Sequence, residues 1–248
     1  MASEADVRGV IFDLGSTLIH RTGLDLERAK CAALGAFAAA ELGCEDADAL
    51  AARLLEIRLE AWRRAAAEQV EYPAARSIAQ AFEAAGLPVG DGILRRAEAV
   101  FFEPEVRASR LYPGAREVLE ALARLGLRVG MISNATSHGL ILDITHRHGI
   151  AAFLDPIVTS AGFGRTKPHP SIFTHVLETW GMPPGHAVMV GDTLGADILG
   201  AHSVGMRSIL VDIEPNPDNA RLAASVRPSA RITDLREIPD ILRRWNGG

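Results

Sequence analysis

Two rhythms of apolar residues run through this chain, and the place where one gives way to the other divides it. Short apolar runs at Val7–Phe12, Arg128–Ile132, Pro156–Thr159, Ala187–Val190, Arg207–Val211 and Ala230–Ile232 are bounded by turn formers and predict buried strands. Between the later runs, apolar positions recur every three or four residues. That predicts helices and, with the strands, repeated βα units around a largely parallel sheet. Pro113-Gly114 opens one such helix, which runs to Leu125 and stops at Gly126; Pro170-Ser171 opens another, which stops at Gly181.

After the first run the strand rhythm disappears until Leu111-Tyr112-Pro113-Gly114. Leu24–Leu42, Ala47–Gln69, Pro73–Ala85 and Asp91–Phe102 are rich in Ala, Leu, Arg and Glu at helical spacing, with Gly43, Gly86-Leu87-Pro88 and Pro104 as dividers. An all-helical insertion after one strand reads as a separate small bundle, hinged on both sides. The expected fold class is therefore α/β: a Rossmann-like parallel-sheet core from residues 1–17 and 111–248, with a helical domain inserted at 18–110. The segment Pro215–Pro228 reads as a loose connection.

With 248 residues, 48% of them hydrophobic, the chain can bury a sizeable core as one large domain or two smaller ones. A net charge of -5 with mixed signs argues against a nucleic-acid partner, while still allowing a locally positive cleft around a small anion. No segment is apolar for long enough to cross a bilayer, and Met1-Ala2-Ser3-Glu4-Ala5-Asp6 lacks the basic flank and apolar stretch of a signal peptide. The expected setting is the cytoplasm, with no membrane partner, as a monomer or homodimer. Cys31 and Cys44 lie roughly 20 Å apart if the chain between them is helical, too far for a disulfide. They are expected to be small packing residues.

Two predicted strands end in acids: Asp13 follows Val10-Ile11-Phe12, and Asp192 follows Met189-Val190-Gly191, with Asp197 close behind. Open α/β sheets build their sites at the carboxyl ends of strands. Three carboxylates at one such edge repel each other, and a hard divalent cation is the simplest neutraliser. Mg²⁺ takes oxygen ligands, typically one or two carboxylates, with a substrate phosphate completing its shell. Asp13 and Asp192 fit that count, the backbone carbonyl of Gly15 can add a ligand, and Asp197 would orient waters or Lys167. A carboxylate can also attack phosphorus to give an aspartyl-phosphate, and Asp13 is the candidate. Ser133 and Lys167 supply the hydroxyl and the ammonium that a transferring phosphoryl group needs around its equatorial oxygens. Each residue alone has a plain structural reading, as helix cap, turn residue or solvated lysine. It is the ordered set on consecutive βα loops that points to chemistry.

Phe12-Asp13-Leu14-Gly15-Ser16-Thr17-Leu18, Ile132-Ser133-Asn134, Lys167-Pro168-His169-Pro170 and Gly191-Asp192-Thr193-Leu194-Gly195-Ala196-Asp197 match, in order, the four motifs of the haloacid dehalogenase-like hydrolase superfamily. The chain resembles the phosphatase-like branch, with a helical cap inserted after the first strand. The resemblance implies a Mg²⁺-dependent phosphatase acting on a small phosphorylated metabolite through nucleophilic Asp13. It implies phosphate contacts from Ser133, Asn134 and Lys167, metal ligation by Asp13, Gly15 and Asp192, support from Asp197 and Thr17, and a cap that closes over the substrate. It also implies a central first strand, flanked by the strands that end at Ser133 and Asp192.

One position departs from the family. Its phosphatases usually carry a second Asp two residues after the nucleophile, to protonate the leaving oxygen and then activate water; here that position is Gly15. A positioned general acid contributes about 10² to 10⁴ in rate, so turnover is expected to be slow or confined to good leaving groups such as acyl, anomeric or aryl phosphates. His20, where the chain climbs into the cap, is the candidate replacement acid, against the plain reading of a solvated hinge residue. His138 is read as the start of the helix after Ser133. In the cap, Arg58, Trp62 and Arg63 have the spacing of a core aromatic with solvated arginine neighbours, a plainer reading than an anion-reading surface. A weakened relative that binds a phosphorylated ligand or a protein partner is the alternative that Gly15 raises. A dehalogenase is disfavoured by the intact acidic pair Asp192 and Asp197, and a phosphonatase by a cap whose single lysine is Lys30.

Overall fold

The computed structural model describes residues 6–20 and 23–247, so the expectation of no signal peptide falls, for residues 1–5, outside the described residues. Six parallel strands form one sheet in the order β3-β2-β1-β4-β5-β6: β1 (Gly9–Phe12), β2 (Arg128–Ser133), β3 (Ile157–Thr159), β4 (Ala187–Gly191), β5 (Arg207–Val211) and β6 (Ala230–Ile232). The first strand is central, with Phe12 in register with Met131 of β2 and Val190 of β4. Its residues are buried on both faces, as the sides of a covered parallel sheet must be. Val10 and Phe12 join one cluster with α5 (Ala115–Arg124), α6 (His138–Arg147) and α10 (Ile238–Trp245), while Ile11 joins the opposite cluster with α8 (Pro170–Trp180) and α9 (Leu199–Ser203). A short α7 (Ser160–Phe163) follows β3. Because every strand runs the same way, the ends of β1, β2 and β4 meet at one edge, where the chain's connections diverge to either side of β1.

Between β1 and α5 lie α1 (Leu24–Leu42), α2 (Ala47–Glu68), α3 (Ala74–Ala84) and α4 (Asp91–Ala108), which pack on one another as a bundle. Three of the four ends fall close to where the punctuation placed them. Gly43 closes α1 in the left-handed region at φ 71°, where a side chain would be strained. The fourth does not: Pro104 was expected to divide the chain, yet α4 runs through it to Ala108. A helical proline forfeits one hydrogen bond and costs about 3 kcal/mol. Tertiary contacts on both sides outweigh that loss, with Phe101 and Phe102 buried just before it, and Glu105, just after it, paired with Lys30.

The two chain segments that join bundle and sheet pair with each other. Ile19 bridges Leu111 antiparallel, the His20 amide donates to Arg110 O (3.0 Å), and the Tyr112 amide donates to Leu18 O (2.9 Å). A second junction sets Val70 against Arg165, with Glu71 N donating to Gly164 O and Thr166 N to Gln69 O, both at 3.2 Å. Among the described residues no helix is long and apolar enough to cross a membrane.

Candidate active site

The Asp13 amide donates to Val190 O (2.9 Å), which carries the β1–β4 pairing one residue past the strand. The chain then folds back at once. The amides of Thr17, Leu18 and Ile19 converge on Leu14 O at 3.3, 2.9 and 3.0 Å, and Ser16 adopts a left-handed φ of 59°. That tight turn brings the Thr17 hydroxyl to Asp13 Oδ2, to which it donates at 3.0 Å.

The other oxygen, Oδ1, accepts from Lys167 Nζ at 2.7 Å, and the same ammonium donates to Asp197 Oδ1 at 2.6 Å. Lys167 is held from behind by Asn134, whose Oδ1 accepts from the Lys167 amide (2.7 Å) and whose Nδ2 donates to the Lys167 carbonyl (3.0 Å). The Asn134 amide, expected at a phosphate, is thus engaged by the lysine's backbone. Ser133 ends β2, buried and on the cavity wall.

Asp192 emerges from β4, and a π-helical turn over Leu194–Ile198 swings Asp197 back beneath it. Such turns insert an extra residue where a side chain must be re-aimed. Asp197 Oδ2 accepts from the Thr193 amide (3.0 Å). A Cβ on Gly191 would lie 2.3 Å from the Asp197 carboxyl carbon, so only glycine lets that carboxylate occupy its place.

Two residues that the sequence reading passed over hold this loop. Asn216 Nδ2 donates to Asp192 Oδ2 (2.7 Å), while Asn219 Nδ2 donates to the Asp192 carbonyl (2.8 Å) and its Oδ1 accepts from the Leu194 amide (2.7 Å). The signal was Asn216-Pro217-Asp218-Asn219, a turn-forming cluster after the fifth strand, which is the wrong composition for mere slack.

These groups face a cavity of about 550 Å³, lined from the sheet by Asp13, Ser133, Lys167 and Asp192 and from the bundle by Lys30, Arg58 and Trp62. Gly15 lines it too, exposed, with nothing within 4 Å of where its Cβ would stand. His20 also lines it, its ring half-exposed, tilted by 40° against Tyr112 at 4.1 Å between centroids and with Nδ1 3.1 Å from Glu214 Oε1. His138 begins α6, as expected. Both cysteines are free, and burial pushes the Cys31 thiol up to about 12, which makes it a packing group and a poor nucleophile.

The expectation of a core aromatic with solvated arginines in the bundle is reversed for Arg58 and Trp62 and holds for Arg63. Arg58 is 1% exposed and Trp62 38%, while Arg63 stays outside, paired with Glu60. The reason is tertiary: Glu27 of α1 accepts from Arg58 Nε (2.8 Å) and Thr136 of the β2 loop from Nη2 (3.2 Å), partners that no single-helix period reveals.

One oxygen each from Asp13, Asp192 and Asp197 lies within 4.8 Å of the others. Burial works against the Lys167 ammonium, but the adjacent Asp13 and Asp197 outweigh it and hold its pKa above the ordinary lysine range. Among the described residues no cation pairs with Asp192; burial, then the charges of Asp13 and Asp197, push its carboxyl up to about 7. Among the described residues, three carboxylates facing one ammonium, with a hydroxyl and carbonyls around them, form an oxygen donor set short of positive charge. A hard divalent cation fits it.

A family model of haloacid dehalogenase-like hydrolases matches residues 7–205. The chain belongs to that family. The matched stretch runs from β1 past α9 and contains every candidate residue the motifs supplied, whereas Asn216 and Asn219 lie beyond it. Similar curated proteins include a ribulose-1,5-bisphosphate 5-phosphatase of Halopiger xanaduensis, 35% identical over 136 residues that make up 53% of this chain and 56% of that one. Another is a phosphoserine phosphatase of Thermus thermophilus, 32% identical over 63% of this chain and 59% of that one. The alignments thus span little more than half the length of these curated relatives. Among solved structures, a 2-haloacid dehalogenase from Pseudomonas syringae pv. tomato superposes over 96% of this chain and 99% of its own, at 26% identity and a TM-score of 0.71. The haloacid dehalogenase-like fold therefore extends over nearly the whole chain, bundle included.

Proposed function

We propose that this family member is a Mg²⁺-dependent phosphatase that hydrolyses a small, soluble phosphorylated metabolite in the cytoplasm through an aspartyl-phosphate at Asp13. The observation that carries this reading is the buried Asp192–Asp197 pair beside Asp13, which leaves the site short of positive charge. Dehalogenation asks for no such pair, whereas a metal-bound phosphate requires it. Asp13, Asp192 and the Gly15 carbonyl would hold the ion, and once bound it would neutralise the acids and the phosphoryl oxygens.

The protein's own groups do the rest. Thr17 and Lys167 fix the two Asp13 oxygens by hydrogen bonds, which presents the carboxylate in one orientation. Asp13 attacks phosphorus, the P–O bond to the leaving group breaks, and the leaving oxygen keeps the electron pair. Ser133 and Lys167 take up charge on the equatorial oxygens, and Asp197 and Asn134 hold Lys167 where it can do so. Water then cleaves the aspartyl-phosphate, releasing inorganic phosphate and restoring Asp13. Residues 18–110 act as the cap over this cleft. With Gly15 in place of an acid, His20, braced by Glu214 and Tyr112, protonates poor leaving groups.

The test is hydrolysis of p-nitrophenyl phosphate and acetyl phosphate with Mg²⁺ and with EDTA. Mg²⁺-dependent release that vanishes in Asp13→Asn is expected. Chloride release from 2-chloropropionate without metal, or no release from a broad phosphate panel, would overturn the reading in favour of a dehalogenase or a binding protein respectively.

A further inference from the structure

The bundle side of the cavity holds a chain of alternating charges that the chemistry above leaves unused. Arg58 Nε donates to Glu27 Oε1 (2.8 Å), Lys30 Nζ bridges Glu27 Oε2 (2.6 Å) and Glu105 Oε2 (2.7 Å), and Lys30 also lies 4.8 Å from the Phe101 ring centroid. Two cations and two anions balance. What remains open is hydrogen-bond capacity of one kind. Arg58 Nη1 is buried with no partner among the described residues, although the rest of the guanidinium is engaged. Thr136 Oγ1 accepts from Nη2 and keeps its own hydrogen to donate. Both residues line the same cavity as Asp13. A buried guanidinium nitrogen left unpaired costs free energy that an acceptor placed there returns.

We propose that Arg58 and Thr136 read the leaving side of the substrate, selecting phosphomonoesters whose tail carries an uncharged oxygen acceptor, a hydroxyl or carbonyl, over tails that end in a carboxylate. The proposal rests on the phosphatase reading for the other end of the ligand. Charge decides between the two kinds of tail. Among the described residues lining the cavity, the five carboxylates of Asp13, Glu27, Glu105, Asp192 and Asp197 face the three cations of Lys30, Arg58 and Lys167. A divalent ion reduces that excess, and the substrate's phosphate dianion restores it, so a further anionic group meets net repulsion while a neutral acceptor meets a donor. Nor is Lys30 free to attract a carboxylate or to form an imine, because Glu27 and Glu105 engage its ammonium.

The experiment measures inhibition constants of three phosphates with equal carbon counts, propyl phosphate, glycerol 3-phosphate and 3-phosphoglycerate, against p-nitrophenyl phosphate hydrolysis. Glycerol 3-phosphate is expected to bind about tenfold or more tighter than either of the others, the range of one hydrogen bond to a charged group. Arg58→Lys, which keeps the charge but loses Nη1, and Thr136→Val, which removes one hydroxyl, are each expected to erase that preference by weakening glycerol 3-phosphate far more than propyl phosphate. A merely structural role would weaken all three compounds alike. That result, equal constants in the wild type, or a preference for 3-phosphoglycerate would overturn the proposal. Failure of the phosphatase reading shows separately, as no p-nitrophenol release. Calorimetric titration of the same three compounds then gives the tail preference directly, and equal affinities refute it.

Discussion

The sharpest perturbation available is to restore the acid that the first motif lacks. Gly15 is exposed, its backbone lies outside the left-handed region, and nothing stands within 4 Å of its Cβ position, so Gly15→Asp adds a carboxylate two residues from Asp13 without strain or clash. If proton delivery limits turnover, the gain on an alkyl phosphate is that of a positioned general acid, about 10² to 10⁴, or about 3 to 5 kcal/mol of barrier. The gain on p-nitrophenyl phosphate is expected to be small, because p-nitrophenolate leaves without a proton. The same assay judges His20. Its ring lines the cavity between Tyr112 and Glu214, and its amide donates to Arg110 O, which holds its backbone at the junction of bundle and sheet. His20→Ala is expected to depress alkyl phosphate hydrolysis, spare the aryl ester, and be rescued by Gly15→Asp. Steady-state kcat on both substrates across the four proteins checks this. No gain from Gly15→Asp in either background would refute the reasoning that a missing acid limits the rate. An unchanged His20→Ala would remove His20 from the mechanism.

Three other outcomes are expected. In the metal-free protein Asp192 is raised to about 7, whereas in the unfolded chain it titrates near about 4, so the folded state retains a proton that the unfolded state has released. In EDTA the Tm is therefore expected to fall as pH rises from about 4 to about 7; Asp192→Asn should flatten that slope and abolish the rise in Tm that Mg²⁺ produces above it, and a flat wild-type profile would contradict the charge deficit. Asn134→Ala removes both clamps on the Lys167 backbone; it is expected to cost about 1–3 kcal/mol in urea unfolding, and about 10²-fold in kcat if Lys167 drifts by about 1 Å. Gly191→Ala forces a methyl group 2.3 Å from the Asp197 carboxyl carbon, and calorimetry is expected to show a loss of about 1–3 kcal/mol together with weakened Mg²⁺ binding.

Periodicity and punctuation alone determined the alternating core, the helical insertion after the first strand, and the acids at the ends of the first and fourth strands. Each is written in neighbouring residues: an apolar run needs a core, a glycine past a helix ends it, and an acid one step beyond a buried strand must emerge at the sheet edge. Tertiary structure decided what depends on partners distant in the chain. Pro104 sits inside a helix because Phe101, Phe102 and Glu105 find their places elsewhere in the fold. Arg58 is buried and Trp62 exposed because Glu27 and Thr136 reach the guanidinium from other elements. Asn134 turns to the Lys167 backbone, and Asn216 and Asn219 reach back to Asp192 across more than twenty residues. A side chain's burial and hydrogen-bond partners are properties of the space around it, and the local pattern specifies that space only where a strand or helix supplies both partners itself.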